Sequence, residues 1–184
     1  MDPFEVIQPT QGVQERASEL VALLQKLRIE PVPVKEAKLF QYKLNPLKPD
    51  TEEDHAFFNL ITEFAKSNAN DVKDIVKRRA RARIPKLQPS DKRPEPMVQR
   101  LDDGWVEVPS GHIVVLITLP SADYRTTEIH VRGEQKIHKA KDLLFGSNIL
   151  LFEKAQFRTY PHELQFVVIP SRTLPLDGGG EDVR

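Results

Sequence analysis

A chain of 184 residues, 39% of them hydrophobic and 29% charged, can build a real core in one or two compact domains. Its 27 basic and 27 acidic residues cancel, which excludes polyanion binding by the chain as a whole and leaves local patches only. With no cysteine there are no disulfides, thiolate nucleophiles or thiolate metal sites.

The 15 prolines are many for one globular chain and point to ordered extended segments. The start, Met1-Asp2-Pro3-Phe4-Glu5, lacks the apolar run of a signal peptide. The longest apolar stretch, Ile113 to Leu119, is far below the ~20 residues of a membrane helix. The expected location is the cytoplasm, with no membrane partner.

Residues 1–10 read as an extended arm, with Pro3 and Pro9 and no clear period. A helical stripe follows from Gln11 to Leu27, with Val13, Ala17, Leu20, Leu24 and Leu27 on one face and Thr10 as its cap. Pro31 and Pro33 stop it. Ala37 to Leu44 reads as a strand, with Phe40, Tyr42 and Leu44 on one face. Asp50 to Asp54 opens a second helix, its acids suiting the positive end of the dipole. Ser67 to Asn70 is expected to break that helix, and a third is expected from Asp71 to about Arg83, limited by Pro85.

Residues 85–98, with Pro85, Pro89, Pro94 and Pro96, read as a linker, so a domain boundary is expected there. Residues 11–84 would then form a helical unit and 99–176 a β-rich one. Beyond the linker the period is two. Strands are expected at Trp105–Val108, Ile113–Leu119, around Thr127–Val131, Asn148–Phe157 and Leu164–Ile169. Residues 177–184 have the composition of a flexible tail. The expected fold class is α+β: a helical N-terminal region with one strand, then a mainly antiparallel β-sandwich or barrel.

The sequence contains no H-E-x-x-H, no G-x-x-x-x-G-K and no G-x-S-x-G. The best candidate for chemistry is Glu128-x-His130-x-Arg132, which a strand places on one face as carboxylate, imidazole and guanidinium. A metal there would need a third ligand such as His112 or His138. Against this stands the plain polar face of a half-buried strand, which alternation alone produces. Asp102-Asp103, before Gly104, reads as a solvated turn rather than a catalytic carboxylate pair.

The most informative feature is basic. Lys73, Lys77, Arg78, Arg79, Arg81, Arg83 and Lys86 crowd one stretch, and Lys73, Lys77 and Arg81 form an i, i+4 row on a helix. Such a face suits phosphates or an acidic protein surface, and the helix C-terminus explains part of it without any ligand.

Ile113 to Glu134, with Leu119-Pro120 at its turn and Arg132-Gly133-Glu134 at its end, resembles the early strands of small heat-shock proteins. The family's closing signature, alanine, a spacer and Gly-Val-Leu, has no counterpart, since Phe166-Val167-Val168-Ile169-Pro170 differs from it. The functional expectation from the whole sequence is a non-enzymatic assembly subunit. It would bind protein subunits of a larger complex through its β-domain and extended arms, without cofactor or metal. The alternative is a nucleic-acid-binding protein using the basic helix 71–86.

Overall fold

The computed structural model describes residues 3–34, 38–86, 95–120, 128–132, 136–140, 143–160 and 164–176. Strand β1 (Phe4–Ile7) comes first, within the segment expected as an extended arm. Helix α1 (Gln11–Lys26) follows, and the Thr10 hydroxyl accepts the Val13 N–H at 3.3 Å, which satisfies one orphan amide of the first turn. Its buried side is Val13, Ala17, Leu20, Val21 and Leu24, as the spacing predicts, while Leu27 ends the stripe half exposed.

Short strands β2 (Val32–Pro33) and β3 (Leu39–Gln41) lead to α2 (Glu52–Ile75). Thr51 caps α2 by accepting the Asp54 N–H at 3.2 Å. Asp54 itself is buried and accepts the Asn45 N–H at 2.6 Å. Burial acts to raise its pKa, but hydrogen bonds from Asn45, Asp50 and Thr51 outweigh it and hold the carboxyl below the usual range.

The expected break at Ser67–Asn70 does not occur, and α2 runs through it. The Ser67 hydroxyl donates back to Glu63 Oε1 at 2.8 Å, and Asn68 lies buried between Phe64 and Val72 on the core face. Packing of that face overrides the poor helix propensity of serine and asparagine. The expected third helix is therefore the end of α2 plus a π-turn, Val76–Ala80. Arg81, in the left-handed conformation at φ 47°, ends it. Strand β4 (Ala82–Arg83) follows.

Strands β5 (Met97–Leu101), β6 (Val106–Glu107), β7 (His112–Thr118), β8 (Glu128–Arg132), β9 (Ile137–Ala140), β10 (Asn148–Leu151), β11 (Gln156–Tyr160), β12 (Gln165–Arg172) and β13 (Leu174–Pro175) complete the chain. The span expected as one strand from Asn148 to Phe157 is two. Lys154 sits at φ 62°, and Ala155 N–H closes the turn on the Phe152 carbonyl at 3.2 Å. That reversal sends β10 into one sheet and β11 into the other.

The larger sheet has seven strands in the order β1-β10-β7-β12-β5-β3-β2, and the smaller has four, β6-β11-β8-β9. Strands β13 and β4 make a separate pair. The pairings are antiparallel, including those of β1 with β10 and β3 with β5. Beyond Val168, strand β12 has β7 on one side only, which is where Pro170 is tolerated.

Period two divides the core into two layers. On one face of the larger sheet, Ile113, Val115, Ile117, Leu150 and Val167 pack in a cluster with Val13, Leu20, Phe57, Leu60 and Phe64 of the helices. Its other face meets the smaller sheet, and there Val114, Leu116, Ile149, Phe166 and Val168 meet Val108, Ile129, Val131 and Phe157. Tyr42, just after β3, reaches past β5 to β12. Its hydroxyl accepts from Gln165 Nε2 at 2.7 Å, and burial pushes its phenol above the ordinary value. The α+β class is as expected. The helices and the β-strands also share a core across the 85–98 segment.

Candidate functional site

The smaller sheet has two unlike faces. Inward, facing the larger sheet, are Val106 of β6, Phe157 of β11, Ile129 and Val131 of β8 and Ala140 of β9. Phe157 meets Phe166 edge-on, with ring centroids 5.7 Å apart. Outward, the register places Glu107 opposite Gln156, Gln156 opposite Arg132, Arg158 opposite His130, and His130 opposite Lys139.

Glu128, His130 and Arg132 thus share one face, as their spacing predicts. His130 Nε2 lies 2.8 Å from Glu128 Oε2, and Arg158 Nε donates to His130 Nδ1 at 3.2 Å. Because the guanidinium can only donate, Nδ1 accepts, and the ring proton sits on Nε2, facing Glu128. Lys139 Nζ is 3.5 Å from the same Glu128 oxygen. His130 is 6% exposed, so this outward imidazole is covered rather than solvated.

Trp105, just before β6, lies against both arginines of this face. The guanidinium carbons of Arg132 and Arg158 are 4.5 and 4.8 Å from its ring centroid. Sequence reasoning singled out neither Trp105 nor Arg158. The β11–β8 register that joins Arg158 to His130 spans 28 residues of chain, and local periodicity cannot see it.

The third ligands considered for His130 do not join it. His138 pairs with inward-facing Val131 and stacks edge-on with Phe4 at 6.4 Å. His112 lies in the other sheet, with Nδ1 3.0 Å from the Ser110 carbonyl. Asp102 and Asp103 form a turn, as expected. Arg100 Nε binds Asp102 at 2.8 Å, and Lys38 Nζ binds Asp103 at 2.8 Å.

The basic stretch divides. Arg78 and Arg79 both bind Glu5 of β1, at 3.0 and 2.9 Å, and Arg79 also donates to the Phe4 carbonyl and lies over the Phe152 ring. The end of α2 is thereby fastened to the first strand. Lys73, Lys77, Arg81, Arg83 and Lys86 are exposed. A shallow groove between α1 and α2 has Ala22, Leu23 and Ala56 among its lining, together with Glu19, Glu52, His55 and Asn59.

No protein-family model matches the chain, and no curated protein does. Solved structures match its fold. One is a prolyl hydroxylase from Trichoplax adhaerens in complex with a peptide fragment of the hypoxia inducible factor oxygen degradation domain. It has a TM-score of 0.55 and 12% identity, covering 94% of this chain and 84% of that one. Another is a prolyl-4-hydroxylase from Pseudomonas putida, with a TM-score of 0.50 and 8% identity, covering 92% of this chain and 91% of that one. At these identities the likeness is one of fold, the double-stranded β-helix.

The comparison corrects the functional expectation. The sequence, with its extended arms, helix stripe and no contiguous catalytic motif, leads to the expectation of a non-enzymatic structural or assembly subunit, with a nucleic-acid-binding protein as its alternative. The fold is one on which prolyl hydroxylases are built. Such a fold gathers side chains from strands far apart in sequence, so a missing contiguous motif does not exclude an enzyme. Among the described residues no helix is long and apolar enough to cross a membrane.

Non-haem iron of the oxygenase type needs two histidines and a carboxylate on one facial set. Among the described residues no three His, Asp or Glu converge in that way. The inward positions where β6 meets β11 are Val106 and Phe157, both packed in apolar surroundings. The described residues do not fit an iron between the sheets, and no step is derived through one.

Proposed function

We propose that this protein is an enzyme that modifies a proline-containing polypeptide segment, working in the cytoplasm. The observation that supports it is the chain-wide likeness to two prolyl hydroxylases, which extends over both sheets and the helices. One of those neighbours is described with a peptide bound, and a polypeptide is the substrate class carried over here.

The packed centre sets a condition on this reading. Val108, Ile129, Val131, Phe157 and Phe166 are almost wholly buried, and a polar reacting group among them would pay heavily for desolvation. The reacting groups therefore belong at the rim of the barrel, not in its middle.

The test is to incubate the protein with a library of proline-containing peptides and the small-molecule fraction of a cell extract, then weigh the peptides by mass spectrometry. The expected result is a time-dependent mass change that maps to or beside a proline. Peptides that bind but return unchanged would overturn the reading.

A further inference from the structure

Among the described residues, the outer face of the smaller sheet holds two guanidinium groups that no carboxylate pairs with. Across the β8–β11 pair Arg132 faces Gln156 and Arg158 faces His130, so the arginines are diagonal neighbours on one face. Such neighbours stand roughly 7–8 Å apart at the backbone, within mutual reach for long side chains. Both lie against the same indole, at 4.5 and 4.8 Å from its centroid.

The described carboxylates on this face are engaged by other groups. Glu128 is engaged by His130 and Lys139, at 2.8 and 3.5 Å. Glu107 accepts from Gln156 Nε2 at 3.3 Å. Among the described residues neither arginine takes part in an ion pair. Arg132 makes one long contact, 3.5 Å to Gln156 Oε1, and is exposed. Two cations are thus held close together on one indole, Arg132 exposed and Arg158 partly so.

We propose that Arg132 and Arg158, held on Trp105, form a carboxylate-binding site for an acidic side chain of a partner polypeptide. The guanidinium fork matches a carboxylate with two parallel N–H bonds. Stacking on the ring fixes the forks in advance, which lowers the entropy lost on binding. The planar fork sets the occupant assigned here, a planar carboxylate, and the flanking Glu107 and Glu128 lower the pull on anions of any charge. An extended chain lying across this face meets the arginine pair between its two glutamates. The site is independent of the catalytic reading above.

Trp105 is the chain's one tryptophan, so intrinsic fluorescence reports on this site alone. The experiment titrates capped hexaglutamate into the full-length protein at low ionic strength, with hexaglutamine and inorganic phosphate as parallel probes. Hexaglutamate is expected to give a saturable change in Trp105 emission, and hexaglutamine none. Arg132→Gln should weaken the midpoint about tenfold, the loss of one charged hydrogen-bonding partner. Arg158→Gln should do the same, with circular dichroism confirming that both variants are folded. No saturable response to hexaglutamate, or an unchanged midpoint in both variants, would overturn the site. Phosphate saturating at a lower concentration than hexaglutamate would overturn its assignment to a carboxylate.

Discussion

The two faces of the smaller sheet come from the same strands and do opposite things. Inward, Val106, Ile129, Val131, Ala140 and Phe157 lock the sheet to its larger partner. Outward, Glu107, Glu128, His130, Arg132, Lys139, Gln156 and Arg158 build a polar lattice topped by Trp105. The difference teaches where to look for function on a fold that hydroxylases also use. Between the sheets this chain has mostly apolar packing, with Thr159 bonded to the Leu101 carbonyl and His138 against Phe4, and most of the charged groups of this sheet are outside.

The contrast can be broken most severely by cutting the chain. Residues 99–176 expressed alone would lose β1 from one edge of the larger sheet and β3 and β2 from the other, and expose Ile113, Val115, Ile117, Leu150 and Val167. The expected result is an aggregated or unfolded product. A soluble fragment with a β-sheet circular dichroism spectrum would show instead that the 85–98 segment is a true domain boundary.

Next in size is the inner face. Phe157→Ala removes a ring buried to 2% exposure against Phe166. It should cost about 3–5 kcal/mol, read from the midpoint of chemical denaturation. A cost near that of a surface change would mean that the space between the sheets is looser than its packing implies.

The helical layer gives a pH-dependent contrast. The pKa of Asp54 is depressed in the fold, so its contribution is fully present above the unfolded carboxylate value. It is lost as pH falls through the folded value. Asp54→Asn should therefore flatten the acid limb of stability measured between roughly pH 5 and pH 2, the range below an ordinary aspartate. An acid limb identical to that of the unaltered protein would refute the assignment.

The smallest effect belongs to the outer face. Arg132→Gln, at an exposed site, should change stability by no more than about 0.5 kcal/mol. A larger loss would make Arg132 part of the architecture rather than of a surface.

How much was legible in the sequence follows from the range of the interactions. Alternation along Ile113–Leu119 and Glu128–Arg132 is local, and both strands formed close to where it put them. The stripe of α1 was equally readable. What failed depended on distant partners. Asn148 to Phe157 looks like one strand because the reversal at Lys154 is made by a residue with no turn preference of its own. Ser67–Asn70 looks like a break because the core that holds Asn68 is invisible from the local sequence. The interlocked strand order of both sheets, which carries the likeness to hydroxylases, is wholly non-local. At the candidate site, Glu128, His130 and Arg132 were found by spacing. Arg158 and Trp105 arrive from other strands and were not.

The inside–outside division is tested most directly by adding manganese(II), a paramagnetic stand-in for ferrous iron, to isotope-labelled protein and following its amide resonances by NMR. The account predicts no selective broadening of the Val106, Val108, Phe157 and Val168 amides, because apolar packing offers an ion no donors there. Broadening centred on those four residues, saturating with metal, would place a metal site between the sheets and contradict it.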